Sequence, residues 1–282
     1  MIIFDYNHLL IHSIIEQIVP DSPDENESLV RHITLNALRR YIVKFKREYG
    51  PEIVIACDSR HYWRADKYQY YKAHRKNMRD NSKINWDEIF KHLNRMKKEL
   101  ILYSPYKIVE VNKCEGDDII AVLSRKYSPF QRVIIISPDK DFGQLQQYPN
   151  ISQYSPMTKG MLKIKNPHAH LKELIIRGDK GDGVPNILSP DDIFVTGGRQ
   201  KSIFEKKLEV WMNQRPDEFC TEEMLRNFNR NKDLIDLSLI PEEMVKNILD
   251  TYNSTDVNSM QKFMNYMIEY RLSLLIECLN EF

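Results

Sequence analysis

Cysteine is nearly missing from this chain of 282 residues: Cys57, Cys114, Cys220 and Cys278 stand far apart, with no Cys-x-x-Cys pair. That spacing excludes a thiolate zinc site and a secreted disulfide framework, and the four read as buried small hydrophobes. Glycine is scarce too, with 9 residues, of which three fall together at Gly178, Gly181 and Gly183. No apolar run approaches the roughly 20 residues that span a bilayer. Met1 enters an apolar segment directly, without a basic leader, so the expected location is the cytoplasm and no membrane is involved. An excess of either charge is also missing, since 41 Lys and Arg face 40 Asp and Glu, for a net charge of +1. The balance is segregated, with acids ending apolar runs and a basic block at residues 60–80.

What is present is apolar strand followed by acid, several times over. Val133-Ile134-Ile135-Ile136 runs into Ser137-Pro138-Asp139-Lys140-Asp141. Four successive β-branched residues predict a strand covered on both faces, as in the middle of a parallel sheet, where ligands gather beyond the carboxyl ends. Asp139 and Asp141 either cap the helix expected at 141–147 or share a cation that offsets their repulsion. The pattern recurs at Ile2-Ile3-Phe4-Asp5 and at Ile53-Val54-Ile55-Ala56-Cys57-Asp58. Residues 106–111 form a third such strand, leading to Glu115-Gly116-Asp117-Asp118 and a helix at 119–127. Further strands are expected at 151–154 and 161–164, and helices at 8–18, 28–49, 86–103 and 167–177. Residues 20–27 read as an acidic loop. This alternation predicts an α/β fold with a mostly parallel central sheet between helices. His8 and His12 lie one helical turn apart, a spacing that can bind a metal, but with no HExxH context they read as exposed residues of an amphipathic helix. Helices at 241–252 and 259–279 carry no recognisable chemistry.

From residue 59 to 85 the apolar periodicity stops. Residues 60–80 hold seven Lys or Arg, two Asp and five aromatic residues. A helix over 64–79 would place Arg64, Tyr68, Lys72 and Lys76 on one ridge and Lys67, Tyr71, Arg75 and Arg79 on the next. Ala65, Gln69, Ala73 and Asn77 on the far side offer little to bury, so the helix is expected to stand clear of the body. Its interleaved cations and rings suit phosphates and bases. Farther on, Gly178-Asp179-Lys180-Gly181-Asp182-Gly183 forms a turn between helices, with the second helix expected near residue 189. Such a turn can offer backbone N–H groups to a phosphate, as Lys180, Gly181 and Gly183 would.

Clustered carboxylates without His or Cys ligands suit Mg²⁺, with Mn²⁺ as a substitute, since hard ions prefer oxygen. So many acids suit two ions roughly 4 Å apart, which assist in-line phosphodiester hydrolysis. A basic arch would draw in the polyanion that the acids repel.

The acid clusters, in this order, resemble the 5′-nuclease or flap-endonuclease superfamily, and most of all its phage ribonuclease H branch. The resemblance covers nearly the whole chain. It implies a PIN-like nuclease core at 1–180 with a helical arch at about 60–85, a helix-hairpin-helix element, and a smaller helical C-terminal domain at 181–282. It also implies a metal site of Asp5, Asp58, Glu115, Asp117, Asp118, Asp139, Asp141, Asp179 and Asp182. Lys72 and Arg75 would act on the scissile phosphate alongside Asp139 and Asp141. The implied activity is 5′→3′ exonuclease, 5′-flap endonuclease and ribonuclease H, removing lagging-strand primers in the cytoplasm of a phage-infected host. The implied partners are duplexes with 5′ ends, nicks or flaps, RNA–DNA hybrids, a single-stranded-DNA-binding protein and a sliding clamp, with the chain a monomer. Two departures stand out. Asn186-Ile187-Leu188 replaces the second Gly-hydrophobic-Gly turn, which bears on duplex grip and on any monovalent ion there. The first strand begins at Met1, so any clamp contact is expected from the body or the C-terminal helices.

A haloacid-dehalogenase phosphatase also carries Asp-x-Asp, but on its first strand, where this chain has Asp5-Tyr6-Asn7. The alternative from another class is a protein that binds branched DNA with weak or no cleavage.

Overall fold

The structure, a computed structural model, describes residues 1–17 and 23–282. All six expected strands form: Ile2–Asp5 (β1), Ile53–Cys57 (β2), Lys107–Glu110 (β3), Val133–Ile136 (β4), Ile151–Ser155 (β5) and Gly160–Leu162 (β6). They make one sheet in the order β3-β2-β1-β4-β5-β6, antiparallel only between β5 and β6. Ile2 pairs with both Ile53 and Ile134. The chain therefore winds outward from β1 through β2 and β3, then returns to the other side of β1 for β4. That reversal opens a crevice beyond the carboxyl ends of β1 and β4, where sheets of this kind bind ligands.

Burial on both faces explains the unbroken apolar strands. Ile2, Phe4, Ile55, Ile134 and Ile136 enter one core with helices Tyr6–Gln17 (α1) and Pro23–Tyr49 (α2). Met1, Ile3, Val54, Val133 and Ile135 enter the other. Each such side chain contributes roughly 1.5–3 kcal/mol by leaving water.

The 64–79 segment departs from expectation. It forms two short helices, Trp63–Lys67 (α3) and His74–Asp80 (α4), joined by turns rather than one long helix. Next come Trp86–Tyr103 (α5), Gly116–Tyr127 (α6) and Pro167–Arg177 (α7). After β4, residues Lys140–Gln147 form a 3-10 helix. No helix starts near residue 189, where hydrogen-bonded turns run to residue 197. The expected loop at 20–27 is helical from Pro23, and its earlier part lies outside the described residues.

Glu205–Met212 (α8), Pro216–Phe219 (α9) and Glu222–Ile235 (α10) build a small core with α7 around Ile176, Ile187, Trp211 and Phe228. Glu242–Ser254 (α11), Met260–Glu269 (α12) and Ser273–Ile276 (α13) return to the sheet. Met244 and Ile248 join one sheet core, and Phe263, Tyr266 and Met267 the other. The expected helix at 259–279 breaks at Arg271, whose φ of 55° lies in the left-handed region. Across this layer, buried Glu99 accepts hydrogen bonds from Arg31 and the Tyr266 hydroxyl, tying α2, α5 and α12 together.

Candidate active site

The acids assemble where the sheet reverses. Asp5 ends β1, Asp58 follows β2, Glu115 and Asp117 open α6, and Asp139 and Asp141 follow β4. Asp179 and Asp182 arrive from the turn after α7. The Asp58 carboxylate accepts from the Gly116 backbone N–H at 2.6 Å and from the Asn7 amide at 2.6 Å. Asp139 accepts the Asp141 N–H through Oδ1 at 2.9 Å, so it does cap the 3-10 helix, while its Oδ2 faces His8.

The electrostatics of this row are unfavourable as it stands. Burial, reinforced by Asp139 and Asp5, pushes Asp117 well above the usual carboxylate range. Burial, then Asp139, Asp179 and Asp182, does the same to Asp141. Asp58 and Asp139 are also raised, chiefly by burial. One buried oxygen of Asp141, Oδ1, has no hydrogen-bond partner. Among the described residues, no three His, Cys, Asp or Glu side chains group tightly enough to hold an ion without adjustment. The row nevertheless fits a hard divalent cation, which would relieve repulsion and fill the open acceptor on Asp141.

Cations line the other side. Lys72 is left-handed at φ 55°, and its backbone N–H donates to the Asp182 carbonyl at 2.7 Å. Its ammonium pairs with Glu115 and lies 3.6 Å from Asp182, while Arg75 reaches Asp182 at 2.7 Å. Burial opposes the charge on Asp182, but Lys72 and Arg75 overcome it and hold that carboxyl below its ordinary value. Beyond Asp58 a cleft of about 1160 Å³ opens between α4 and α5, with Tyr62, Lys76, Arg79, Trp86 and Phe90 on its walls.

Several expected ligands and contacts belong elsewhere. Arg64 is 2% exposed, and its guanidinium is spent on Glu115 and Asp118, each at 2.8 Å. It therefore supports the acids from behind and does not face a nucleic acid. Asp118 also accepts from the Trp63 indole and the Glu115 backbone, which turns it away from the row. Tyr68 and Tyr71 are buried, with the Tyr71 hydroxyl donating to Asp182 and Glu115. Of the two ridges expected to face solvent, Arg64, Tyr68 and Tyr71 thus turn inward and Lys72 is half-buried, while Ala65, Gln69, Ala73 and Asn77 on the far side are exposed. Lys67 is exposed and pairs with Asp233, while Lys76 and Arg79 face the cleft. Lys180 and Gly181 are exposed, whereas Gly183 is buried with φ 72°. A Cβ there would lie 2.9 Å from both the His74 ring and the Tyr70 carbonyl, so Gly183 seats the arch and not a duplex.

The family model for the 5′-3′ exonuclease N-terminal resolvase-like domain matches residues 19–173, more than half of the chain. The chain belongs to the 5′-3′ exonuclease family. Residues 167–282 match the model of the T4 RNase H C-terminal region. Ribonuclease H of Enterobacteria phage T4 is 35% identical over 273 residues, covering 93% of this chain and 90% of that protein. The T5 5′-exonuclease solved with divalent zinc superposes with a TM-score of 0.61 at 15% identity, covering 96% of this chain and 98% of its own. A bacteriophage T5 flap endonuclease solved with DNA and metal ions gives 0.59 at 14%, covering 90% and 99%. At those identities the two structures bear on the fold alone.

Within this exonuclease scaffold, three polar residues beside the acids, Asn7, Ser137 and Gln153, had no role in the sequence reading, and a fourth, His8, was read there as an exposed helix residue. Asn7 holds Asp58, Ser137 donates to Asp5 at 2.9 Å, and Gln153 donates to the Ser137 and Asp139 carbonyls. His8 bonds Asp5 through Nδ1 at 2.6 Å. Asn7 and His8 carried a usable signal, since both lie within one helical turn of Asp5. Ser137 and Gln153 carried none.

Proposed function

We propose that this exonuclease-family chain is a divalent-metal-dependent 5′ nuclease that degrades DNA duplexes and RNA–DNA hybrids from the 5′ end and cuts 5′ flaps. In a phage-infected cell this activity removes lagging-strand primers. The observation that carries the reading is the acid row at the sheet reversal, faced by Lys72 and Arg75 and continued by a cleft that carries Arg60, Lys76 and Arg79 beside the rings of Tyr62, Trp86 and Phe90. Asp58, Glu115, Asp117 and Asp139 would hold one cation, and Asp141, Asp179 and Asp182 a second. Bound Mg²⁺ or Mn²⁺ supplies Lewis-acid polarisation of the phosphate and a water acidic enough to attack. Lys72 and Arg75 orient the scissile phosphate and offset its developing charge. Lys76 and Arg79 contact the neighbouring phosphates, while Trp86 and Phe90 offer ring faces to unpaired bases. The ribonuclease H name of the phage T4 relative and the DNA held by the T5 enzyme are in keeping with this substrate class.

The test is incubation with 5′-end-labelled nicked and flapped duplexes and an RNA–DNA hybrid, with Mg²⁺ and with EDTA. Short 5′ products are expected only with Mg²⁺. Tight binding without products in Mg²⁺ would favour the alternative, a branched-DNA binding protein.

A further inference from the structure

The turn after α7 keeps few backbone N–H groups for a phosphate. From Asp182 to Ser189 every one is already donated within the protein, Pro185 having none. Asp182 and Val184 give theirs to Asp179, Gly183 to Lys180, and Asn186 to the Gln200 side chain at 2.6 Å. What comes next in the chain is cationic: residues 199–207 hold Arg199, Lys201, Lys206 and Lys207 against one acid, Glu205. Arg177 already holds Glu205 at 2.8 Å. Among the described residues, Arg199, Lys201 and Lys206 are exposed and have no ion-pair partner, and Phe204 between them is 74% exposed. A solvated loop accounts for loose charge, but this backbone is pinned. Asn186 donates to the Lys201 carbonyl at 2.8 Å, and the Lys201 N–H donates to Ser189 Oγ at 2.9 Å. The Arg177–Glu205 pair also ties the segment to the end of α7, two residues before Asp179 of the acid row.

We propose that Arg199, Lys201 and Lys206 form a second nucleic-acid surface, which grips the phosphates of the paired part of the substrate. This rests on the 5′-nuclease reading above and adds the stretch of duplex that leads away from the scissile phosphate. A duplex carries about one charge per 1.7 Å of its axis, and each phosphate neutralised by a side chain releases condensed counterions. Cations without acid partners gain that release in full, whereas Lys67 would first have to leave Asp233. Because the segment is pinned, little further ordering is needed on binding. Phe204 lays an apolar ring against the sugars between the contacted phosphates. The unpaired strand belongs to the cleft beside the arch, with its rings and cations, so the two surfaces divide the substrate between them. Side-chain charge thus does here what the committed N–H groups of the turn cannot.

The experiment titrates the full chain, in Ca²⁺ and at several salt concentrations, with a blunt duplex and with a single strand of the same length. The variant carries Arg199→Gln, Lys201→Gln and Lys206→Gln. A control of equal net charge carries Lys98→Gln, Lys126→Gln and Lys246→Gln, which remove exposed cations on α5, α6 and α11. In the first variant duplex affinity should fall about 100-fold at roughly 0.15 M salt, and the slope of log K against log salt should flatten by about 2.7, the value for three lost phosphate contacts. Single-strand binding, and both affinities of the control, should change much less. Arg199→Gln alone should give about a third of the slope change, which keeps the test open should the triple variant misfold. An unchanged duplex slope, equal loss on both nucleic acids, or equal loss in the control overturns the surface. Cleavage of a 5′-flap by the wild-type chain in Mg²⁺ is read separately. Its absence overturns the nuclease reading, while a selective loss of duplex binding in the variant upholds the surface whether or not the chain cuts.

Discussion

Asp141 shows how this site is poised at the scale of one residue. The residue is half-buried, its sealed Oδ1 has no partner, and Asp139, Asp179 and Asp182 all repel it. A carboxyl whose folded-state value is raised contributes nothing below its unfolded value and costs stability increasingly as pH rises past it. Asp141→Asn should therefore stabilise the metal-free protein, by about 1 kcal/mol or a few degrees in Tm. The gain should be largest at alkaline pH and fade toward pH 4. In Mg²⁺ the same variant should lose cleavage by at least two orders of magnitude, if its ligand charge contributes several kcal/mol to the transition state. Thermal melts in EDTA across pH, paired with flap cleavage, give both readings. An unchanged Tm with normal cleavage would remove Asp141 from the metal site. The position of this residue was legible because Val133–Ile136 must be buried and the chain then turns straight into acid. Arg64 was misread because a cation among exposed-looking neighbours gives no local sign that Glu115 and Asp118 wait for it inside.

Among the elements, the arch base and the glycine turn behave as one joint. The Lys72 N–H bonds the Asp182 carbonyl, Arg75 bonds the Gly181 carbonyl at 2.9 Å, and Gly183 lies against Tyr70 and His74. Gly183→Ala introduces a Cβ into that contact at a φ of 72°, which should cost about 1–3 kcal/mol locally. Gly181→Ala should cost less, because its Cβ would meet only Asp179 Oδ1, a side-chain atom 3.0 Å away that must give slightly, and its φ is not left-handed. Hydrogen exchange at the Lys72 amide separates the two: faster in Gly183→Ala, unchanged in Gly181→Ala. Equal exchange in both would show that the joint does not depend on this close approach. Strands were legible here because their β-branched runs are self-sufficient signals. The arch was not, since Tyr68, Tyr71 and Lys72 turn inward to partners that their own periodicity cannot reveal. The second hairpin helix failed to form because Asn186 and Ser189 bond Gln200 and Lys201, stapling the segment as turns.

The whole molecule is closed by its C-terminal helices, which complete both faces of the sheet. Phe263 is fully buried in the core that contains Phe4 and Ile55, and it stacks with Tyr266 and meets Phe282 edge-on. On the opposite face Ile248 is buried with Ile3 and Val54. A region that shares its core with the sheet cannot melt without exposing it, so nuclease core and C-terminal helices should unfold together. Phe263→Ala should lower stability by about 3–5 kcal/mol, the cost of a large cavity in a packed interior. The loss should appear in a single transition, with intrinsic fluorescence, far-UV circular dichroism and Mn²⁺ release all changing at one denaturant concentration. Were residues 242–282 an appended unit, Phe263→Ala would instead split the transition, with metal release following the later step. Coincident loss of structure and bound ion at a lowered midpoint would place Phe263, far from any acid, among the residues on which the metal site depends.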